Sequence, residues 1–79
     1  MEPAALRALV AKNVRAAARR KGVALTALAD FAAVSRSQLF AVLARETSPT
    51  IDWLAKVATA LDVEPWQLLM PRPTKRDAR

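Results

Sequence analysis

The sequence predicts an all-α fold: a compact bundle of five short helices over residues 1–70, followed by a basic, disordered tail at residues 71–79. Three observations carry this prediction. Hydrophobic residues make up 53% of the chain and are dominated by alanine, leucine and valine, with a single glycine, which is a helical composition. Apolar residues recur at helical spacing along most of the chain, and no stretch alternates as a strand would. Helix-start and helix-stop signals leave only short connections, so consecutive helices must pack as neighbours around one small core.

Glu2 and Pro3 open the first helix, with proline at the first helical position, where its missing N–H costs nothing. Leu6, Leu9, Val10, Val14 and Ala17 then follow helical spacing to about Arg20, while Arg7, Lys12, Arg15 and Arg19 take the other side. Gly22 closes this helix. The run Arg19, Arg20 and Lys21 puts cations at its C-terminal end, where they suit the helix dipole and also attract anions. A second helix covers about residues 25–32, with Leu28, Ala29 and Phe31 available for the core, and Ala33 and Val34 turn the chain into the third.

The third helix has the most specific start. Ser35 and Gln38 have the spacing of a capping box, in which the serine oxygen accepts from the N–H of Gln38 and the glutamine side chain reaches back to the N–H of Ser35. Val34 and Leu39 flank the start as an apolar staple. Leu39, Val42 and Leu43 share one side of this helix. Ser37, Ala41 and Ala44 share the other, edged by Arg36, Gln38, Phe40 and Arg45. A low polar face of this kind fits a DNA major groove, and the same pattern also describes an ordinary amphipathic core helix.

Residues 46–49 form a polar loop, because proline pushes Ser48 out of the α region. Thr50 caps a fourth helix with Asp52 in its first turn and Ile51, Leu54, Val57, Ala58 and Leu61 as its apolar stripe. Val63, Glu64 and Pro65 restart the chain as a short fifth helix, with Val63 placed to staple Leu68. Trp53 and Trp66 lie outside the stripes of their helices.

Composition excludes several chemistries. The chain has no cysteine and no histidine, so disulfides, thiol nucleophiles, zinc fingers and histidine general bases are ruled out. Seven scattered carboxylates without a glycine-rich loop or paired-acid pattern offer no machinery for catalysis, and neither a metal nor a cofactor is expected. No apolar run is long enough to span a membrane and no signal pattern opens the chain, so a cytoplasmic protein is expected. Thirteen Lys and Arg against seven Asp and Glu give a net charge of +6, which favours a polyanionic partner, nucleic acid or an acidic protein surface.

The second and third helices with their connection, Leu25, Leu28, Ala29, Ala33, Val34, Ser35 and Leu39, resemble the helix-turn-helix of the Cro/repressor (Xre-like, lambda-repressor-like) family. Residues 48–54 and 60–69 resemble that family's fourth and fifth helices, so the likeness covers about residues 9–70. The resemblance implies a DNA-binding domain whose second motif helix, here at about residues 35–45, enters the major groove of double-stranded DNA. The chain departs from the family pattern at five residues. Ala24 and Leu25 replace a polar cap and a glutamine, so a customary phosphate contact is missing, although the helix dipole remains. Ala33 replaces the turn glycine, which is tolerable if that backbone keeps a negative φ. Ala18 and Leu43 stand where many relatives carry an arginine and a glutamate, exchanging a buried ion pair for an apolar one.

By the same resemblance, Arg36, Ser37 and Ala41 match the positions that read base edges. An arginine grips guanine O6 and N7, and a small Ala41 lets the helix lie deep. Gln38, Arg45, Thr47, Ser48 and Thr50 are the candidates for phosphate contacts, which position a protein without specifying sequence. Phe40 either stacks on the sugar-phosphate edge or packs against the fourth helix. Trp53 and Trp66 are candidates for a homodimer interface, the alternative being that each lids its own core. Arg36 also occupies the first helical position, where the dipole favours acids, so its charge breaks a local rule without a local gain visible in the sequence. The expected function is a sequence-specific transcriptional regulator, a dimeric repressor. The alternative is an antitoxin or interaction module that holds a protein partner, a toxin or an effector, and uses DNA binding for autoregulation.

Overall fold

Four α-helices and one 3-10 helix follow in order: α1 (Pro3–Lys21), α2 (Leu25–Ala32), α3 (Arg36–Leu43), α4 (Ile51–Ala60) and the 3-10 helix (Pro65–Leu69). The computed structural model describes residues 1–71; the expected tail beyond Pro71 lies outside them. The fifth expected helix is thus present but wound more tightly than an α-helix, held at its start by the N–H of Glu64 donating to Gln67 Oε1 at 2.7 Å. No helix among the described residues is long and apolar enough to cross a membrane.

The long helix α1 is the spine. It packs on α2, α3 and the 3-10 helix, while α4 packs on α2 and the 3-10 helix. Val10 and Val14 of α1, Leu28 of α2, Leu39 and Val42 of α3, Val57 of α4 and Leu68 of the 3-10 helix are the largest side chains buried almost completely. One core therefore draws on every element, each such side chain contributing about 1.5–3 kcal/mol on burial.

Three apolar residues lie elsewhere than the periodicity suggests. Phe31 is 68% exposed, because α2 buries Leu28, Ala29 and Ala32 and this stripe leaves Phe31 on the flank. Ile51 is 83% exposed: it is the first residue of α4, and a helical side chain leans back toward the N-terminus, beyond the end of the core. Trp53 moves the opposite way. It is 3% exposed, since the buried stripe of α4 is rotated to run through Trp53, Leu54, Val57 and Ala58. Its ring is part of its own core, which corrects the expectation of an exposed aromatic at an interface.

The four α-helices end alike. Each passes into one residue of left-handed conformation, Gly22 (φ 77°), Ala33 (φ 59°), Arg45 (φ 66°) or Asp62 (φ 58°). In each, that residue and its successor donate their N–H groups to carbonyls of the last helical turn, as with Ala33 to Asp30 at 3.2 Å and Val34 to Ala29 at 3.1 Å. This is the Schellman arrangement, in which the residue after the left-handed one folds an apolar side chain back on the helix. Val23, Val34 and Val63 do so and pack against the core, whereas Glu46 occupies the equivalent place after α3 and is exposed. The expected negative φ at Ala33 is accordingly corrected, because the paired hydrogen bonds of this turn require the left-handed conformation.

Asn13 is the one buried polar side chain among the described residues, at 3% exposure. Its Nδ2 donates to the carbonyl oxygens of Leu68 at 2.9 Å and Met70 at 2.8 Å. These carbonyls belong to the end of the 3-10 helix and would otherwise have no helical partner, so one side chain ties the C-terminal segment to the spine.

Replacing Ala33 by glycine removes the Cβ that a left-handed residue must accommodate, at some cost in unfolded-state entropy. The expected net gain is about 0.5–1 kcal/mol in denaturant unfolding. A loss of stability would mean that the turn does not adopt this conformation.

Candidate nucleic-acid interface

The outward face of α3 is set by what its other face must do. Leu39, Val42 and Leu43 are at most 3% exposed and pin the helix to the core. Helical geometry then turns Ser37, Ala41 and Ala44 outward, with Ala41 half-buried and the other two exposed. Arg36 and Gln38 are exposed on either side of this low strip. Ser35 Oγ accepts from the N–H of Gln38 at 2.9 Å, fixing the helix start. The reciprocal half of the expected capping box is not made, and the Gln38 side chain extends into solvent instead. Phe40 is 41% exposed on a helix whose close neighbours are α1 and α2, so the expected packing against α4 is not its principal environment.

The expected phosphate-contacting residues lie along the connection from α3 to α4. Arg45 is outside the helix, at its left-handed end, and Arg45, Thr47 and Ser48 are exposed. Thr50 already has a structural task, since its Oγ1 accepts from the N–H of Trp53 at 3.0 Å. Its hydroxyl hydrogen remains available for donation.

Arg36 has a local partner that sequence reasoning missed. Its Nη2 lies 3.1 Å from Oδ2 of Asp30, on α2, and both side chains are more than half exposed. The Schellman turn at Ala33 and the cap at Ser35 bring these two positions together. The charge at the start of α3 is therefore partly matched, which corrects the view that it has no local compensation. As an exposed pair it is worth only about 0–1 kcal/mol.

The cations of α1, on the side away from its apolar stripe, have a more specific setting in the fold. Arg15 and Arg19 line a shallow depression with Ala24 and Leu25, at the N-terminus of α2. That helix has no side-chain cap, so its first N–H groups have no side-chain partner at a depression that two arginines also line. Lys12, Arg15, Arg19 and Arg45 also line a single groove that runs from α1 to the end of α3, and among the described residues no carboxylate lines it. The spacing of Lys12, Arg15 and Arg19 places them on one helical face and was the available signal. Their juxtaposition with Arg45 depends on the tertiary fold. Ala18 and Leu43, in place of a charged pair, are both buried at 3% exposure or less, so no ionic group is buried there.

Of the two tryptophans only Trp66 is displayed, at 56% exposure, close in sequence to Leu69 and Met70, which are 40% and 47% exposed. Trp66 and Met70 line one depression together with Asn13 and Val63, whereas Leu69 lines another with Leu6 and Leu54.

Solved structures are similar to this chain, among them two described as a transcription factor and a transcriptional regulator. One is the hypothetical transcription factor NHTF from Neisseria, 31% identical with a TM-score of 0.81, covering 90% of this chain and 82% of that one. The other is an HTH_3 family transcriptional regulator from Vibrio cholerae, 25% identical with a TM-score of 0.78, covering 85% of this chain and 38% of that one. No protein-family model matches the chain, and no curated protein matches it. The identity to the Neisseria factor extends over most of both chains and accompanies the same helical fold; the chain belongs to the Cro/Xre-like helix-turn-helix family of transcriptional regulators.

Proposed function

We propose that this protein is a sequence-specific DNA-binding repressor that reads the major groove with α3. The observation that carries the reading is the combination on α3 of a face fixed by three buried side chains with an outward strip of Ser37, Ala41 and Ala44 edged by Arg36. Such a strip is low enough to approach base edges, and Arg36 is long enough to offer two N–H groups to a guanine. Arg15, Arg19 and the open N-terminus of α2 form a phosphate site that stands in for the missing glutamine. Gln38, Arg45, Thr47, Ser48 and Thr50 supply further backbone contacts, and those contacts account for the affinity of a chain with net charge +6 for any duplex.

Two copies on a palindromic operator, related by a two-fold axis, double the number of bases read. Exposed Trp66, with Met70 lining the same depression, is the surface we assign to that self-association, with Trp53 excluded by its burial.

Two outcomes are expected. Arg36→Ala leaves stability nearly unchanged, because a lost exposed ion pair and a relieved dipole conflict are each worth under about 1 kcal/mol and oppose one another. It should weaken binding to the preferred duplex by about 1–3 kcal/mol more than to a scrambled one; equal losses in paired titrations at one salt concentration would reduce Arg36 to a phosphate contact. Trp66→Ala should shift sedimentation toward the monomer and weaken operator binding in parallel while helicity is kept. A wild type that is monomeric at concentrations that saturate the operator would contradict the assignment of Trp66.

A further inference from the structure

We propose that Asp30 is a positioning residue that holds Arg36 for base edges and away from phosphates, so that it sets sequence preference at the expense of affinity. The inference rests on the reading of α3 as the helix in the groove. Its starting point is the 3.1 Å approach of Asp30 Oδ2 to Arg36 Nη2, from the last turn of α2 to the first residue of α3.

Stability does not account for this pair. Both partners are more than 60% exposed, where ion pairs contribute little. Affinity does not account for it either, since a carboxylate at the rim of a reading helix repels the polyanion that a chain of net charge +6 attracts. An acid that strengthens neither folding nor general binding is placed as a discriminating element acts, by penalising the wrong complex.

The chemistry of the two groups supplies the mechanism. An unpartnered arginine at a groove edge samples many rotamers and takes the strongest nearby anion, which on DNA is a phosphate of any sequence. A carboxylate already at Nη2 fills that role. The guanidinium has five N–H donors in a fixed plane, and the contact recorded with Asp30 uses only Nη2. The other edge remains open, and a guanine presents O6 and N7 together to such an edge. The pair therefore persists when the right base is present and competes with a phosphate when it is not. The backbone between the two side chains is held by the hydrogen bond from Ala33 N–H to the Asp30 carbonyl and by the Ser35 cap, so the partners' spacing is built into the turn.

The test compares the wild type, Asp30→Asn, Arg36→Ala and the double variant by titration on the duplex best selected from a random pool and on a scrambled duplex. Circular dichroism establishes that all four fold. Asp30→Asn should bind both duplexes more tightly but the scrambled one disproportionately, so that their affinity ratio falls by about fivefold, the upper worth of an exposed pair. On the scrambled duplex its log-log salt slope should steepen by up to about 0.9, one added phosphate contact. In the Arg36→Ala background the same change should tighten both duplexes equally. A discriminating wild type whose ratio is untouched by Asp30→Asn would overturn the inference and leave the reading of α3 standing. A wild type that does not distinguish the duplexes at all would overturn that reading and the inference together.

Discussion

The turn from α2 to α3 is the constraint on which the molecule's working surface depends. Three residues carry it: Ala33 in the left-handed region, Val34 folded back on the core and Ser35 accepting from the N–H of Gln38. A shorter or looser turn would still bury Leu28 and Leu39, yet it would free the angle between the two helices. With the angle fixed, Leu39, Val42 and Leu43 must point inward and Ser37, Ala41 and Ala44 outward. The same turn brings Asp30 to Arg36. That it is made by alanine where glycine would be less strained means that stability of about 1 kcal/mol is left unused at this point. The paired carbonyl hydrogen bonds and the burial of Val34 outweigh that cost.

What was legible in the sequence was local. Both bounds of α1 follow from Pro3 and Gly22, and the starts of α3 and α4 from Ser35 and Thr50, because caps act within one turn and need no tertiary partner. The buried side of α3 was legible for the same reason. The fate of residues at the margins of a stripe was not. Trp53 and Ile51 lie on opposite edges of the stripe of α4, and which of them is buried depends on how far that helix is rotated against α2 and the 3-10 helix. Asn13 gave no local signal, since the carbonyls that it serves are more than fifty residues away. The partner of Arg36 lies only six residues back, but its approach depends on the sign of φ at Ala33, which is positive where an alanine ordinarily favours a negative value.

The electrostatics of the surface divide into two parts. Lys12, Arg15, Arg19 and Arg45 line a basic groove with no carboxylate among the described residues, suited to a uniform backbone. The edge of α3 instead combines Arg36 with Asp30, opposite charges within one contact. On the proposed reading, affinity without discrimination is concentrated in the first region and discrimination in the second. Such a separation would let a chain with net charge +6 be both attracted to any duplex and selective for one.

The most direct test of the central claim, that Arg36 reads a guanine edge in the major groove, modifies the DNA rather than the protein. In the preferred duplex each guanine is replaced in turn by 7-deazaguanine, which loses the N7 acceptor and leaves the phosphate backbone unaltered. One position in each half-site should lose binding by about 1 kcal/mol or more with the wild type, and this loss should vanish with Arg36→Ala. Equal responses at all guanines, or a position-specific loss that persists in Arg36→Ala, would contradict the account.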